Sequence, residues 1–434
     1  MQTKAKEKIN IVTLGCAKNL VDSEVLMTQL KGNKKDAFHQ REDINPDVVI
    51  INTCGFIDKA KQESIDTILK HAKEKDEGII KKLFVTGCLS ERYKNDLKSD
   101  IPEVDGFYGT RDLPELLKNF EAKYRNELLG ERIITTDSHY AYLKISEGCD
   151  RPCSFCAIPF MRGRHISKPM EQIVLEAKNL VSNGVREIML IAQDSTYYGI
   201  DIYKKRMFSE LLNKLSDVEG LDWIRIHYAY PSGFPTDIIE VMKEKKNICN
   251  YLDIPLQHGS TRMLKIMKRG ITREKTDDLI RRIRDINPEI ALRTTLIAGH
   301  PGETEEDFHE MYEFVERSQF DRLGIFTYSH EEGTLSYKLE DDVSENIKRS
   351  RSNKIMALQQ KISKEKNSKK VGKTFKVLID RADANNYYGR TEHDSPEVDN
   401  EVIIPTKEMH LRVGDFYDVL ITDSREYDII GKVV

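Results

Sequence analysis

Three closely spaced cysteines carry the strongest chemical signal in the sequence. Cys149, Cys153 and Cys156 form a C-x3-C-x2-C motif. Three thiolates at this spacing suit three corners of a [4Fe-4S] cluster and leave the fourth iron open to a substrate or cofactor, whereas an electron-transfer cluster normally takes a fourth cysteine. A zinc knuckle or three ordinary buried cysteines are the alternatives, although no histidine completes a zinc set at the usual spacing. The motif therefore predicts an iron-sulfur cluster with one open iron.

A second set of three cysteines is spread over the first hundred residues. Cys16, Cys54 and Cys88 each follow a short apolar, β-branched run. These runs read as parallel strands with helices between them, so the three thiols would meet at the carboxyl edge of one sheet. This arrangement predicts a second [4Fe-4S] cluster with an open iron, and the alternative is three small buried side chains. Cys249 lies outside both sets and is predicted to be inert packing.

The elements that must position these cysteines indicate an α/β protein. Residues 1–120 alternate strand and helix, which predicts a flavodoxin-like parallel α/β domain. Residues 137–343 contain six more strand candidates separated by helical patterns, which predicts a partial (β/α)6 barrel with a polar, glycine-rich rim. Those candidates are 142–148, 187–193, 223–229, 251–257, 291–298 and 322–328.

The last part of the chain differs in composition from the rest. Residues 344–370 are rich in Lys and Arg and read as a connecting basic helix. Residues 371–434 alternate apolar and polar side chains between turn residues, which predicts a small five-stranded all-β barrel.

Composition narrows the class of protein. The 434 residues are 39% hydrophobic and 32% charged, as in a soluble globular enzyme of several domains. Lys and Arg number 68 against 72 Asp and Glu, which leaves no overall positive field for nucleic acid. The odd count of 7 cysteines argues against disulfides, and no apolar run suits a signal peptide or a membrane span. We therefore expect a cytoplasmic protein without membrane contact.

The C-x3-C-x2-C motif, placed after the first strand of the predicted barrel, resembles that of the radical S-adenosylmethionine superfamily. Its members bind S-adenosylmethionine at the open iron and cleave it to a 5′-deoxyadenosyl radical with an electron from the reduced cluster. The resemblance implies that Phe155 packs near the adenine. It also implies cofactor contacts from the rim residues Gln193, Asp194, Ile297 and Gly299. Simple core packing is the alternative for Phe155 and Ile297.

Over nearly its full length the sequence resembles the methylthiotransferases. The stretches that carry the resemblance include Gly15-Cys16-Ala17-Lys18-Asn19-Leu20-Val21-Asp22-Ser23-Glu24, Cys156-Ala157-Ile158-Pro159-Phe160-Met161-Arg162-Gly163 and Asp253-Ile254-Pro255-Leu256-Gln257-His258. They look like the branch that modifies an aspartate of small-subunit ribosomal protein S-twelve, since the tRNA branch usually has Gln-Met-Asn after the first Gly-Cys.

Membership of that branch would define the reaction and its partners. The resemblance implies two [4Fe-4S] clusters and S-adenosylmethionine as both radical source and methyl donor. It implies transfer of a methylthio group to the aspartate β-carbon of S-twelve, giving 3-methylthioaspartate, on the free protein or within the small ribosomal subunit. We also expect a monomer and a low-potential electron donor such as flavodoxin or ferredoxin.

Residues 371–434 resemble the TRAM module, a nucleic-acid-binding barrel in the tRNA-modifying relatives. Here they carry 13 acidic residues against 8 basic ones, which suits a basic ribosomal protein better than phosphates, unless the acidic face is merely solvated. We expect Asp394, Glu397, Asp399 and Glu401 to lie in a loop and strand start that tolerates charge reversal. Nucleic acid would be contacted at most locally, through the basic stretch 344–370.

Two other functions fit part of these observations. A tRNA adenosine methylthiotransferase would apply the same chemistry to a different substrate, and the acidic C-terminal domain argues against it. A non-catalytic iron-sulfur carrier or electron-transfer protein would need no open iron at either cluster. The sequence therefore predicts a radical enzyme that methylthiolates a protein aspartate.

Overall fold

The computed structural model describes residues 7–406 and 409–434. Its N-terminal part is a five-stranded parallel sheet in the order β2-β1-β3-β4-β5, which is the flavodoxin-like order. The strands are β1 Lys8–Thr13, β2 Asp36–His39, β3 Val48–Thr53, β4 Lys82–Gly87 and β5 Gly106–Phe107. The helices are α1 Ala17–Gly32, α2 Asp58–Asp76, α3 Cys88–Asp100 and α4 Leu113–Lys118.

The central strand of this sheet, β3, is buried along its whole length. Its side chains alternate between two apolar cores, one on each face of the sheet, because crossover helices cover both faces. The three strands predicted to end in cysteine are confirmed, and they are neighbours in the sheet. Their carboxyl ends therefore lie side by side.

The central part is a six-stranded parallel sheet with β6 and β13 at its two edges, in the order β13-β12-β11-β10-β9-β6. This confirms the partial barrel. Its strands are β6 Tyr140–Lys144, β9 Glu187–Ile191, β10 Trp223–Ile226, β11 Ile248–Asp253, β12 Ala291–Ala298 and β13 Arg322–Thr327. Between β6 and β9 in the chain, β7 Ser146–Glu147 and β8 Ile166–Ser167 form a separate short antiparallel pair. The helices are α5 Ile158–Arg162, α6 Met170–Ser182, α7 Ile200–Tyr203, α8 Phe208–Ser216, α9 Asp237–Glu244, α10 Thr261–Ile266, α11 Arg273–Ile286 and α12 Glu305–Ser318.

The C-terminal part begins with a long helix and ends in a closed barrel. Helix α13, Glu345–Ser368, lies within the basic stretch and packs on β13 and α12. The barrel has the strand order β14-β15-β16-β18-β17, which confirms the predicted five strands. They are β14 Thr374–Ala382, β15 Asn386–Arg390, β16 Val402–Pro405, β17 Phe416–Ser424 and β18 Ile429–Val433. Among the described residues, no helix is both long and apolar enough to cross a membrane.

The two faces of the central sheet differ in polarity. Outward side chains such as Leu143, Leu190 and Leu292 pack under the helices in one apolar core. The inward face carries buried polar side chains near the amino ends of the strands, including an Arg225–Glu187 ion pair at 2.7 Å. Buried charges need partners, and this interior therefore requires further groups to satisfy it.

A segment of the C-terminal barrel, residues 390–399, supplies those groups. We call it the bridging segment. It contacts all six strands of the central sheet through polar side chains and, at Glu392, a backbone carbonyl oxygen. The contacts are Tyr140 and Tyr142 to Glu397, Glu187 to Arg390, Arg225 to Glu392, Tyr251 and Arg293 to Asp399, and Arg322 to Asp394. The C-terminal barrel thus completes the interior of the central one, at the end opposite the cysteines.

The expectation that the acidic residues of this region form a free, substitution-tolerant surface is wrong for Asp394 and Asp399, whose side chains are buried. Asp394 is 2% exposed and pairs with Arg322, while Asp399 lies 3.4 Å from Arg293. Glu397 accepts hydrogen bonds from two tyrosines, and Glu401 pairs with Arg381 of the same barrel at 2.7 Å. These carboxylates neutralise arginines and bind tyrosines within the protein. Their charge consequently says little about which external partner binds.

Cys249 packs at the apolar contact between the two barrels, as predicted. It is 1% exposed and lies among Trp223, Tyr251 and Leu378, and the Trp223 and Phe416 ring centroids are 4.7 Å apart.

We expect Asp394→Asn to lower the thermal unfolding temperature at pH 7. Burial alone would raise the pKa of Asp394, but the Arg322 and Lys370 cations and hydrogen bonds from Arg322 and Thr391 hold it well below its usual range. A carboxyl with a depressed native pKa stabilises the fold above its unfolded pKa of about 3.9, and that stabilisation is lost as the pH falls toward the native pKa.

Calorimetry of parent and variant at pH 7 and near pH 3 measures this effect. The difference in unfolding temperature should be large at pH 7, since breaking a buried ion pair costs about 3–5 kcal/mol, and smaller near pH 3. Asp418→Asn, at an exposed position of the same barrel, is the control and should change little. An unchanged transition for Asp394→Asn at pH 7 would contradict the assignment.

Candidate iron-sulfur and S-adenosylmethionine site

The N-terminal cysteines meet at the carboxyl edge of their sheet. Cys16 is exposed and precedes α1, Cys54 is buried and follows β3, and Cys88 is buried and begins α3. Glycines allow their loops to touch. A Cβ on Gly15, whose φ is +90°, would lie 2.7 Å from the Cys54 Cβ, and one on Gly55 would lie 2.8 Å from the backbone nitrogen of the residue after Cys88. The structure thus brings together the three loops that the sequence predicts to converge.

Asn19 holds these loops in place. Its side chain is fully buried, and its Nδ2 donates to the carbonyl oxygens of Leu14 at 2.7 Å and Thr53 at 3.0 Å. Its Oδ1 lies 3.7 Å from the Cys88 Sγ. One amide therefore reaches the segments of all three cysteines. The sequence analysis missed this role, although Asn19 lies in the first motif, where a polar residue inside an apolar helix start is the available signal.

The barrel cysteines lie on the loop between β7 and α5. The backbone nitrogen of Arg151 donates to the Cys149 Sγ at 3.4 Å. Arg269 donates from Nη1 to the Cys153 Sγ at 3.1 Å, and the Tyr230 hydroxyl lies 3.7 Å from the same sulfur. Donors and a cation beside a thiolate stabilise its negative charge. Arg269 and Tyr230 are far from the motif in sequence, and spacing alone could not identify them.

The thiols of each set influence one another electrostatically. Burial, together with the charges of Cys16 and Cys54, raises the pKa of Cys88 to about 12 against the opposing effect of Arg162. Burial likewise raises the pKa of Cys156 to about 12, with added contributions from Cys153 and Cys149. Three thiolates this close need positive charge before they all ionise, and iron supplies it.

The donor sets fit a cluster better than a single ion. In the part of the chain that the structure describes, no three His, Cys, Asp or Glu side chains are arranged to hold one metal ion. A four-iron cluster makes a different demand, because each cysteine binds a different iron. Two all-cysteine sets, each next to a guanidinium, meet that demand.

Polar groups beside the barrel cysteines are arranged to receive a ligand. Gln193 follows β9, and its Nε2 donates to the Glu147 Oε1 at 2.9 Å. Its Oε1 and the Nη2 of Arg151 are buried, and neither has a hydrogen-bond partner among the described residues. Buried polar atoms of this kind require a partner, which a ligand or ordered water can supply. A polar molecule such as the amino acid part of S-adenosylmethionine would satisfy both.

Asp194 acts on the protein itself. Its Oδ2 accepts from the Arg151 Nε at 2.7 Å, and its Oδ1 accepts from the backbone and hydroxyl of Thr196. Both oxygens are thus used, and Asp194 orients Arg151. Its direct contact with a cofactor stays a prediction.

The remaining predicted contacts lie on the same rim. Phe155 is half-buried, with its ring centroid 6.5 Å from that of His300. Ile297 is half-buried on the inward face of β12. Gly299 donates its N–H to Glu303 at 2.9 Å, and a Cβ there would overlap Lys348 of α13. The packing of α13 alone therefore requires glycine at that position, and the contacts of all three with the cofactor stay predictions.

The two cysteine sites adjoin each other. Cys88 packs against Ala157, the residue after Cys156, and against Met161. Thr110 donates to the Met161 carbonyl oxygen at 2.8 Å, and Lys61 and Arg92 both pair with Glu331. These contacts close the carboxyl edge of the N-terminal sheet onto the mouth of the barrel.

Comparison with known proteins assigns a family to this architecture. Residues 143–315 match the radical SAM superfamily, residues 8–109 the uncharacterized protein family UPF0004, and residues 371–434 the TRAM domain. The ribosomal protein uS12 methylthiotransferase RimO of Cytophaga hutchinsonii is 60% identical over 99% of this chain and 98% of its own. The RimO proteins of Flavobacterium psychrophilum and Bacteroides thetaiotaomicron are 56% and 52% identical over at least 99% of both chains.

The chain belongs to the RimO family of uS12 methylthiotransferases.

Membership of the RimO family and of the radical SAM superfamily makes this chain an enzyme that uses an iron-sulfur cluster and S-adenosylmethionine. Solved structures share its fold at low sequence identity. The radical S-adenosylmethionine methyltransferase TsrM of Kitasatospora setae aligns with a TM-score of 0.57 and 14% identity over 74% of this chain and 75% of that one. The cobalamin-dependent radical enzyme OxsB aligns with a TM-score of 0.54 over 77% of this chain and 54% of that one, at 14% identity.

Proposed function

We propose that this RimO family member transfers a methylthio group to the β-carbon of an aspartate in ribosomal protein uS12, giving 3-methylthioaspartate. The full-length similarity to uS12 methylthiotransferases supports the substrate. The contact between Cys88 and the chain just after Cys156 is the observation that carries the chemistry. It supports two clusters that act on one substrate in a shared space.

In this proposal Cys149, Cys153 and Cys156 hold one [4Fe-4S] cluster, and Cys16, Cys54 and Cys88 hold the other. When bound, the first supplies the electron that releases a radical from S-adenosylmethionine, and the second holds the sulfur that becomes the methylthio group, with methyl from a second S-adenosylmethionine. Gln193 and Arg151 receive the polar end of S-adenosylmethionine with their free buried atoms. Asp194 keeps Arg151 oriented for this contact.

The closed edge between the two sites protects a reactive radical. Lys61, Arg92 and Glu331 are largely buried where the two domains meet, and in this proposal their contact limits the entry of water beside the cysteine sets. In this proposal the bound aspartate of uS12 supplies the hydrogen that the radical abstracts.

We further propose that the enzyme acts as a cytoplasmic monomer reduced by a low-potential donor such as flavodoxin or ferredoxin. All seven cysteines are free, as is usual in a reducing compartment.

Mass spectrometry of ribosomal proteins tests the proposed function. Cells that contain the enzyme should yield uS12 heavier by one methylthio group on an aspartate, and cells that lack it should not. Restoring the chain with all six proposed ligand cysteines intact should restore the mass. An unmodified uS12 together with a methylthiolated tRNA adenosine would instead identify the tRNA activity, and no S-adenosylmethionine cleavage under strong reductant would indicate an iron-sulfur carrier.

A further inference from the structure

One arginine connects the two cysteine sites. Arg162 is the last residue of α5, and its side chain is 1% exposed. Its Nε donates to the Cys88 Sγ at 3.2 Å, although Cys88 begins a helix of the N-terminal domain. Arg162 therefore extends from the barrel that carries Cys156 to a cysteine of the N-terminal set.

Every nitrogen of this guanidinium has a partner. Nη1 donates to the Asp22 Oδ2 at 2.6 Å and to the Glu147 Oε2 at 3.2 Å, and Nη2 donates to the Asn19 Oδ1. Lys144 pairs with the same two carboxylates. The two cations offset the two carboxylates, and the planar fork fixes the direction of the Nε–H toward the sulfur, which an ammonium group cannot reproduce.

We propose that Arg162 is a positioning residue that orients the Cys88 ligand and raises the reduction potential of the N-terminal cluster. The inference rests on the proposed assignment of Cys16, Cys54 and Cys88 to that cluster. Hydrogen bonds to a ligand sulfur and nearby positive charge favour the reduced, more negative form of a cluster. Loss of the contact should therefore lower the potential.

The Arg162 side chain also contacts the site of the barrel cysteines. Glu147, a partner of Arg162, accepts the hydrogen bond from Gln193 at 2.9 Å and lies two residues before Cys149. The position of the Cys88 sulfur is thus fixed relative to the loop that carries the barrel cysteines. A neutral hydrogen-bond donor at position 162 would leave Lys144, among the described residues, as the one cation that pairs with the carboxylates of Asp22 and Glu147.

A redox titration followed by electron paramagnetic resonance tests the inference. The background protein carries Cys149→Ala, Cys153→Ala and Cys156→Ala, so that the signal comes from the N-terminal cluster only. Arg162→Gln removes the charge, and Arg162→Lys keeps a charge without the fork. Arg111→Gln is the matched control, because Arg111 donates to the Arg162 carbonyl oxygen at 2.6 Å and thus holds the same loop from its backbone.

We expect the midpoint potential to fall in the order background, Arg162→Lys, Arg162→Gln, with Arg111→Gln close to the background. If Arg162→Gln does not fold, as judged by circular dichroism, the midpoint potential of Arg162→Lys alone tests the proposal. A background-like potential in whichever variant folds, or an equal shift from Arg111→Gln, would overturn the role of Arg162 while the cluster assignment stands. A background protein without iron after reconstitution would overturn both, which iron analysis detects before any titration.

Discussion

Replacement of Cys149, Cys153 and Cys156 by alanine is expected to abolish 5′-deoxyadenosine formation and to leave about half of the iron bound. The reason is that the two cysteine sets lie on different sheets and share no ligand. Iron analysis after anaerobic reconstitution and chromatographic detection of 5′-deoxyadenosine measure the two effects. Complete loss of iron would show that the ligands are assigned wrongly.

The reciprocal variant separates the two roles. With Cys16, Cys54 and Cys88 changed to alanine, cleavage of S-adenosylmethionine should continue while uS12 gains no methylthio group. Cys249→Ala is the matched control, since this buried cysteine lies among the side chains between the two barrels. It should keep both activities. If the variant without Cys16, Cys54 and Cys88 still produced methylthiolated uS12, the proposed role of these cysteines in sulfur delivery would be wrong.

Deletion of residues 371–434 should cost the central barrel its fold and its cleavage of S-adenosylmethionine. The deletion takes Asp394 from Arg322, Arg390 from Glu187 and Asp399 from Arg293. Glu187 keeps Arg225, and Arg293 keeps Asp253. Removing the partner of a buried ion pair costs about 3–5 kcal/mol, so the loss at Arg322 and the weakened pairing of Glu187 and Arg293 together take a large part of the roughly 5–15 kcal/mol that stabilise a typical domain.

Charge reversal tests the same dependence without truncation. Asp394→Lys with Asp399→Lys should lower the unfolding temperature and the yield of soluble protein steeply, whereas Asp418→Lys with Asp423→Lys, at exposed positions of the same barrel, should have little effect. Calorimetry and size-exclusion chromatography measure these outcomes. A truncated protein that remains soluble and cleaves S-adenosylmethionine at the parent rate would contradict the structural role of the bridging segment.

The sequence was sufficient to predict the strands and the convergence of the cysteines. Cys16, Cys54 and Cys88 each follow an apolar run. Parallel strands have their carboxyl ends at the same edge of the sheet, irrespective of the conformation of the connecting loops. The same argument gives the six central strands. These features depend on local pattern and on topology rules that hold for many sequences.

The bridging segment could not be predicted in the same way. Arg225 and Glu187 are charged residues in otherwise buried strands, which signals that each needs a partner but does not identify it. The partners in the bridging segment lie far away in sequence. Tyr140 and Glu397, for example, are 257 positions apart. Counting charge over residues 371–434 treated Asp394 and Asp399 as surface, so the predicted acidic face was wrong.

Arg162 and Asn19 illustrate a different limit. Both lie in stretches that the sequence analysis singled out, yet their roles depend on the way one sheet packs on the other. The contact from Arg162 to Cys88 joins residues 74 positions apart. No periodicity or spacing specifies such a contact, because it arises only when the two domains are assembled.

The bridging segment also sets an order of events during synthesis. Translation proceeds from the N-terminus, and domains generally fold as they emerge. Residues 390–399 follow the six strands in the chain, so Arg322 and Glu187 leave the ribosome before their partners Asp394 and Arg390 are made. The nascent barrel would therefore remain loosely structured until residues 390–399 have emerged and paired with it.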